Sequence, residues 1–228
     1  MVVSDTTLAR ADVYDGSAGQ TSVSTPVVIS PDVRIDGLID EDAWSEAAIL
    51  SGFTQYDPVE GRPATQRTEV YMFVSNDAVY MGVRAYDTEA DQIRATLSDR
   101  DNVVRRDDYI RLSLDTFNDK RRASVFIVNP LGVQQDGVWL EGGGGRGRGR
   151  GFGPPIDWNP DFLWESGGRV EDWGWSAEVK IPFKSLRFPK RDIQSWGLQV
   201  VRRIERFGYG IDIMVQAAMP RICQCQCQ

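Results

Sequence analysis

Apolar and polar residues alternate in many short runs between residues 67 and 207. In the segment GWSAEVKIPFKSL, apolar side chains at Ala177, Val179 and Ile181 alternate with polar ones, and Pro182 ends the run. Successive side chains of a β-strand point to opposite faces, so this pattern predicts a strand with one face against a core.

Similar runs recur along the chain and are separated by turn signals such as Asn76-Asp77 and the segment NPLG at 129–132. The runs are TEVYMFVS, AVYMGVRAYD, DDYIRLSLDTF, RRASVFIV, VQQDGVWLE, WGWSAEVKIPF and WGLQVVRRIER, preceded by a short strand in VVISPDVRI. About eight short strands with turns between them favour a β-sandwich over alternating strand and helix units. We therefore predict an all-β fold of the β-sandwich type.

One short N-terminal helix is predicted directly after a turn at Asp36-Gly37. Asp40 suits the N-cap position, because its side-chain oxygen can accept a hydrogen bond from a free N–H of the first turn. The acidic residues that follow suit the positive end of the helix dipole. Trp44 shares one helical face with neighbouring alanines, so it is expected to be a packing residue.

Composition changes mark the boundaries of the predicted domain. Residues 1–25 are polar and without period, which predicts a disordered tail or linker, and residues 26–208 form the sandwich. The glycine- and arginine-rich segment 142–155 is expected to be a flexible loop, an interpretation favoured over an RNA-binding tract. Residues 209–228 end in alternating glutamine and cysteine and are interpreted as an atypical tail.

The charge and the absence of histidine exclude several classes of function. The 228-residue chain has a formal net charge of −7 and no histidine. Without histidine there is no Ser-His-Asp or Cys-His catalysis, no HExxH chemistry and no His-ligated zinc or haem. A net negative charge also disfavours nucleic acid as a partner. Carboxylate chemistry, calcium on oxygen ligands and non-catalytic binding remain.

Targeting and redox signals are sparse in this sequence. The three cysteines, Cys223, Cys225 and Cys227, are too close together along the chain to join parts of a core. The first twenty residues lack the basic and apolar segments of a secretory signal peptide. No apolar run approaches the ~20 residues of a membrane-spanning helix.

Two groups of carboxylates are candidates for chemistry. Asp107 and Asp108 are consecutive at the start of a predicted strand, so they point to opposite faces and do not form a facing glycosidase pair. One of them could face a ligand. Asp87, Glu89 and Asp91 are spaced like the start of a calcium loop, although the glycine and the distant glutamate of an EF-hand are missing. A solvated turn is the favoured interpretation there.

The seven tryptophans divide into core and edge positions. Trp175 and Trp196 share parity with apolar strand residues, which predicts that both are buried. Four others lie at strand ends or in loops, namely Trp139, Trp158, Trp164 and Trp173. In the segment DWNPDFLW, rings lie next to polar groups, as in sugar sites where a ring covers C–H groups while polar side chains bind hydroxyls. Packing of these rings on the edge of the sandwich is the alternative.

The arginines near the predicted strands are expected to be mostly exposed ion-pair partners. Arg84, central on the polar face of its strand, is the preferred cationic contact for a ligand. The complete set of candidate ligand contacts is Arg84, Arg100, Asp107, Asp108, Asn129, Trp158 and Trp164.

Five segments, taken in order, resemble the family 9 carbohydrate-binding module: IDGLIDEDAW, DAVYMGVRAYD, DDYIRLSLDTF, FIVNPLGVQQD and GWSAEVKIPFKSLRF. They are most similar to the version found at the N-terminus of large bacterial envelope proteins, ahead of a predicted outer-membrane β-barrel. The resemblance covers residues 27–207. It implies a DOMON-like β-sandwich, binding of sugars between aromatic rings, structural calcium in some members, and an extracytoplasmic location.

The resemblance and the residues together predict non-catalytic binding of an oligo- or polysaccharide, as a module of an envelope or glycan-degrading system. One alternative is a surface or periplasmic interaction domain of a truncated outer-membrane barrel protein, without sugar binding. Another is a domain associated with a glycoside hydrolase, since the family is commonly appended to such enzymes. No cofactor is expected, and structural calcium is left open.

Overall fold

The computed structural model describes residues 11–55, 59–103, 106–141 and 156–219, with side chains described up to residue 208. The predicted loop at 142–155 and the glutamine–cysteine repeat therefore lie outside the described residues. The described strands, in chain order, are β1 (Val13–Asp15), β2 (Ser22–Ser24), β3 (Ala48–Ser51), β4 (Thr54–Gln55), β5 (Thr68–Val74), β6 (Ala78–Tyr86), β7 (Tyr109–Asp115), β8 (Arg122–Val128), β9 (Gln134–Leu140), β10 (Ile156–Asp157), β11 (Glu165–Glu171), β12 (Gly174–Pro182), β13 (Gln194–Ile204) and β14 (Tyr209–Met219).

The strands form two sheets whose inner faces share one core, so the predicted β-sandwich is confirmed. The small sheet has the order β1-β3-β5-β6-β12-β11. The large sheet has the order β10-β9-β8-β7-β13-β14-β2, with β4 paired to β14. Pairing is antiparallel apart from β1 with β3 and β2 with β14, which are parallel.

Alternating apolar side chains from both sheets fill the core between them. On β6 and β12 the inward residues include Val79, Val83, Ala177 and Val179, all fully buried. Trp175 and Trp196, from opposite sheets, are also fully buried in this core, as the parity of their strands predicted. Side chains of this size contribute roughly 1.5–3 kcal/mol each through burial.

A second apolar cluster covers the outer face of the small sheet. Segment 33–47 lies across this face and packs Trp44 against Phe73, with ring centroids 5.0 Å apart. Gly82 leaves the room for this contact, since a Cβ there would lie 3.1 Å from Ile39 Cδ1 and 3.2 Å from Trp44 Cζ3. The packing role predicted for Trp44 is confirmed, and the small sheet is largely buried on both faces.

The predicted N-terminal helix is a short 3-10 helix, Asp42–Glu46. Glu41, not Asp40, occupies the N-cap position, and no side chain caps the helix there. The helix ends at Ala47 because the chain then turns into β3, whose pairing with β5 replaces further helical bonds. Among the described residues the other helical segments are also 3-10 turns, of three residues each. None has the length and apolar composition to cross a membrane.

Both predicted tails contribute strands, which corrects the sequence-based boundaries. Within the described part of segment 1–25, β1 pairs with β3 and β2 pairs with β14, and three-residue strands are too short to show alternation. The segment after 208 contains β14, which pairs with β13 along its whole length. The short strand expected in VVISPDVRI is only a bridge between Val27 and Val74.

Strand β11 was missed because of its composition. Its sequence, ESGGRVE, has glycine at two central positions, and glycine disfavours strands. The glycines are required by close approach of backbone from both sides. A Cβ at Gly167 would lie 2.6 Å from Gly37 N, and one at Gly168 would lie 2.5 Å from Gly132 N.

A buried arginine connects the two sheets. Arg202 lies on the inward face of β13 and is fully buried. It reaches across to the small sheet, where its Nη1 donates to Tyr86 O at 2.8 Å and to Arg67 O and Thr68 Oγ1 at 3.1 Å. The same guanidinium therefore ties together the start of β5 and the end of β6, where Arg67 O also accepts from Tyr86 N at 3.0 Å.

The charge of this arginine is balanced by Asp87, which directly follows β6. Arg202 Nη2 lies 3.4 Å from Asp87 Oδ2, and Arg206 donates to both Asp87 oxygens at 2.8 and 2.6 Å. Burial raises the pKa of Asp87, but the hydrogen bonds from Arg206 and the Glu89 N–H, together with the charges of both arginines, leave the pKa below its ordinary value. A buried, hydrogen-bonded charge of this kind is costly to leave without its partner.

Replacing Arg202 with methionine should destabilise the protein by at least about 2 kcal/mol, because it removes three hydrogen bonds to the small sheet and one of the two guanidinium partners of Asp87. Arg203→Met is the matched control: Arg203 is the next residue, is half-buried, and pairs with Glu205. The control should lose less than about 1 kcal/mol. Urea unfolding followed by tryptophan fluorescence measures both, and equal losses would contradict a cross-sheet role for Arg202.

Candidate functional site

The outer face of the large sheet carries a groove of about 680 Å³, named here the large-sheet groove. It lies over β7, β8, β9 and β13 and is bordered by β10 and by the turn between β7 and β8. In the described residues this outer face has no covering segment comparable to the one that lies over the small sheet. The volume is within the roughly 300–1,000 Å³ range of ligand pockets.

Small outward-facing residues on adjacent strands create the floor of the large-sheet groove. Ser113, Ala123 and Gly197 lie on β7, β8 and β13, and their short side chains leave the sheet surface low. The register places Ser113 opposite both Val125 and Gln199, so apolar and polar positions meet in the middle of the floor.

An aromatic side chain forms the apolar wall of the large-sheet groove. Trp139 lies on β9, opposite Ile156 of β10 in the register, and both line the groove. The Trp139 indole is half-buried, and its N–H has no hydrogen-bond partner among the described residues. The ring can therefore present one face to an apolar surface and its N–H to an acceptor.

Trp158 lies at the edge of this wall. It is 43% exposed, and a Cβ at Gly137 would lie 2.9 Å from both Trp158 Cε3 and Ile156 Cγ2. Trp158 and Ile156 therefore pack side by side over Gly137. Gly137 lies in β9, the strand that also carries Trp139. The structure brings this predicted ligand contact next to the groove.

Polar side chains form the opposite wall. Arg111 Nη2 lies 3.5 Å from Gln199 Oε1, and Asp115 Oδ2 accepts from Lys120 N at 2.7 Å. Two buried atoms of this wall, Arg111 Nε and Asp115 Oδ1, have no hydrogen-bond partner in the part of the chain that the structure describes. Leaving such a group unsatisfied costs about 1–3 kcal/mol, so polar atoms entering the groove would find both a donor and an acceptor available after small side-chain shifts.

The turn between β7 and β8 fixes the end of the polar wall. Asn118 and Lys120 adopt left-handed backbone conformations, with φ of 53° and 59°. Asn118 Nδ2 lies 3.4 Å from Ser195 Oγ, which ties the turn to β13. Asparagine tolerates this conformation better than most residues, and its presence here places an amide at the rim of the groove.

Arg84, the preferred cationic candidate, lies on the opposite face of the sandwich. It borders a second cavity of about 310 Å³ on the outer face of the small sheet, named here the small-sheet pocket. Its guanidinium donates to Ile39 O at 2.9 Å and to Tyr71 Oη at 3.3 Å. Arg84 and Trp158 therefore do not belong to one site.

Arg100 and Trp164 meet at one buried carboxylate. Arg100 Nη2 donates to Asp136 Oδ1 at 2.6 Å and to Asp161 Oδ1 at 2.9 Å, and Trp164 Nε1 donates to Asp136 Oδ1 at 2.9 Å. Trp164 is only 3% exposed and packs edge-on against Phe126. These contacts hold the segment after β10 against β9, and a ligand role for either residue stays a prediction.

Asp107 and Asn129 also contact each other in the interior. Asp107 accepts from Thr96 N and Oγ1 at 2.8 and 2.9 Å and from Asn129 Nδ2 at 3.1 Å. Asn129 Oδ1 accepts from the backbone N–H groups of Leu131 and Val133, both at 3.0 Å, and so closes the turn before β9. Their contacts are with the protein itself, and ligand binding by them stays a prediction.

Asp108 directly precedes β7 and has different partners from Asp107. It is 1% exposed, accepts from Glu205 N at 2.9 Å, and has no partner for Oδ2. Burial raises the pKa of Asp108 to about 6, and the Glu205 N–H only partly opposes this. The two adjacent carboxylates are thus not assembled as a catalytic pair.

The residues considered for calcium do not form an oxygen cage. Both oxygens of Asp87 face arginine nitrogens, and Glu89 Oε2 lies 3.1 Å from Arg206 Nε. A calcium ion there would have to displace guanidinium groups. Among the described residues, no group of three or more carboxylate or cysteine side chains is arranged to hold a metal ion.

Sequence reasoning did not single out Arg111, Asp115 and Trp139 as one site. The strand pattern predicts that Arg111 and Asp115 lie on the outer face of their strand. Polar residues are common on the outer faces of sheets, so this position alone does not indicate a binding site. A useful signal is the combination of small and polar outward residues on three neighbouring strands beside an outward tryptophan. It requires the strand order, which the sequence alone does not give.

Comparison with known proteins identifies this fold. Searches of protein-family models and of curated proteins find no match. Among solved structures, a candidate carbohydrate-binding protein from Bacteroides uniformis has a TM-score of 0.58 at 12% identity, covering 88% of this chain and 98% of its own. A family 9 carbohydrate-binding module from Caldicellulosiruptor kristjanssonii in complex with cellotriose has a TM-score of 0.50 at 13% identity, covering 86% and 92%.

The same module in complex with glucose gives a TM-score of 0.51 at 12% identity, covering 87% of this chain and 94% of that one. These matches span nearly the whole of both chains. The fold is therefore that of a family 9 carbohydrate-binding module, as the resemblance of the sequence segments predicted.

Asp108 should make stability fall as the pH rises. Its pKa is about 6 in the folded protein and near the ordinary 3.8 in the unfolded chain, so the folded state holds a proton that the unfolded chain releases between these values. In the wild type the free energy of unfolding should fall by up to about 3 kcal/mol between about pH 4 and 6, and Asp108→Asn should remove this fall. Urea unfolding across this range, with exposed Asp99→Asn as control, measures it. Parallel curves for the wild type and Asp108→Asn would contradict it.

Proposed function

We propose that this protein is a non-catalytic carbohydrate-binding domain whose binding site is the large-sheet groove. The single observation that carries the proposal is the pairing, in one groove, of the Trp139 ring with a polar wall that holds an unsatisfied donor and an unsatisfied acceptor. A pyranose ring has apolar C–H faces and a rim of hydroxyls that both donate and accept. It therefore matches an aromatic wall facing a polar one.

The dimensions and shape of the large-sheet groove favour a saccharide chain or its end over a flat macromolecular partner. The groove runs over four strands and ends at the turn that carries Asn118 and Lys120. A closed end of this kind suits a terminal sugar, with the remaining units extending toward Trp158. Arg111 and Lys120 place positive charge in the groove of a chain with net charge −7, which also accommodates acidic substituents.

The similar modules support the same class of ligand, since two of them are complexes with cellotriose and glucose. We further propose an extracytoplasmic location and a role alongside glycan degradation, which the resemblance to the family implies. Affinity should be in the millimolar to micromolar range, about −4 to −8 kcal/mol, as expected for a preformed groove that binds one or a few sugar units.

Trp139→Ala should weaken binding roughly 10- to 100-fold, because a buried ring contact contributes about 1.5–3 kcal/mol. Trp158→Ala should weaken binding of oligosaccharides more than of monosaccharides, since Trp158 lies at the edge of the groove. Leu163→Ala is the control, because Leu163 is exposed and does not line the groove. Isothermal titration calorimetry with glucose and with cello- and xylo-oligosaccharides measures all three variants.

The result that would overturn the proposal is wild-type protein that binds no sugar on a broad glycan array. A wild-type affinity that survives Trp139→Ala unchanged would show that sugar binds elsewhere. Circular dichroism of each variant confirms that the sandwich is intact before its affinity is interpreted.

A further inference from the structure

We propose that the small-sheet pocket is a second saccharide site, which takes one pyranose unit and lies on the face opposite the large-sheet groove. The pocket is a cavity of about 310 Å³ over β6 and β12. It is at the lower end of the roughly 300–1,000 Å³ range of ligand pockets, which fits a single ring rather than a chain. The proposal is independent of sugar binding in the large-sheet groove.

An exposed tryptophan forms one wall of the small-sheet pocket. Trp173 lies in the turn between β11 and β12 and is 37% exposed. Its ring is supported from behind by Tyr86, with ring centroids 5.1 Å apart. The turn itself is held in place, because Trp173 O accepts from Asp87 N at 2.9 Å. An indole held by an aromatic ring and a backbone bond is preorganised to stack on a ligand.

Gly174 fixes the direction in which the turn presents this ring. It has a φ of 142°, and a Cβ at this position would lie 2.2 Å from Ala85 O. Only glycine permits this backbone conformation together with the close approach to β6. The backbone that carries Trp173 is therefore held close to the end of β6.

Polar groups of both kinds lie on the other side of the pocket. Arg84 is held by Tyr71 and Ile39 O, and these two bonds leave further N–H groups of its planar fork for a ligand. Asp40 is exposed and has no hydrogen bond or ion pair with a described residue. Glu171 is paired with Arg169 at 2.8 Å and is partly exposed.

A pyranose fits this combination better than the alternatives. Two carboxylates accept from vicinal hydroxyls, Arg84 donates to a hydroxyl or ring oxygen, and Trp173 covers a C–H face. An alkylammonium ligand would also stack on Trp173, but Arg84 places a positive charge in the same pocket and opposes it. An anionic ligand would be repelled by Asp40 and Glu171.

Fluorine NMR of the full chain labelled with 5-fluorotryptophan gives each indole its own signal, assigned by single Trp→Phe substitutions. Titration with glucose, galactose, mannose and xylose, to about 50 mM each, covers the millimolar affinity expected of a one-ring site. The Trp173 signal should shift saturably with at least one of these sugars. Choline, titrated in the same way, tests the alkylammonium alternative.

Asp40→Ala should weaken the Trp173 response at least 5-fold while leaving the fold intact, because Asp40 is exposed and bonds to no described residue. Asp32→Ala is its matched control, an exposed aspartate of the same segment that does not line the pocket. Arg84→Met should abolish the response, although loss of its bonds to Tyr71 and Ile39 O also affects packing. Asp40→Ala therefore carries the test.

The outcomes separate the two sites. A Trp173 shift that persists in Trp139→Ala and is weakened by Asp40→Ala supports the second site, whether or not the large-sheet groove binds sugar. A shift at Trp139 without one at Trp173 overturns the second site and leaves the proposed function standing. A Trp173 shift with choline alone, or one unaffected by Asp40→Ala, also overturns it.

Discussion

The structure depends on the ion pair that Arg202 forms with Asp87 inside the sandwich. An arginine on the inner face of a strand is a strong constraint, because its charge and its donors must all be satisfied where water is absent. Here the acceptors lie just before the first residue of β5, at the last residue of β6 and at the residue after β6. The alignment of the two sheets is therefore specified by directional bonds as well as by apolar packing, which alone would tolerate small displacements.

The two outer faces differ in how far they are covered, and each carries one of the two proposed ligand sites. The segment that precedes β3 covers the small sheet and buries Trp44 and Phe73, and the small-sheet pocket lies at the edge of this cover. The outer face of the large sheet carries small and polar residues beside the apolar wall of Trp139 and Ile156, and it forms the large-sheet groove. Glu178 lies under this cover, and its carboxylate accepts hydrogen bonds from Asp36 N, Gly37 N and Trp44 Nε1. Burial raises the pKa of Glu178 to about 7.

The sequence predicted the sandwich and its core because alternation reports burial directly. Parity placed Trp175 and Trp196 inside, and the structure agrees. Sites were harder to predict, since they depend on which strands are neighbours and where irregular segments pack. Arg100 and Asn129 had suitable chemistry, but their partners come from residues far along the chain. β11 and the short edge strands were missed because tertiary contacts, and not local propensity, make them strands.

The paired glycines of β11 have a consequence for how this fold tolerates sequence change. Gly37 approaches Gly167 on one side, and Gly132 approaches Gly168 on the other. A single added methyl group would push apart backbone segments that belong to the cover of the small sheet and to the turn before β9. Substitution there demands concerted movement of two distant loops, whereas most apolar core positions accept another residue of similar volume.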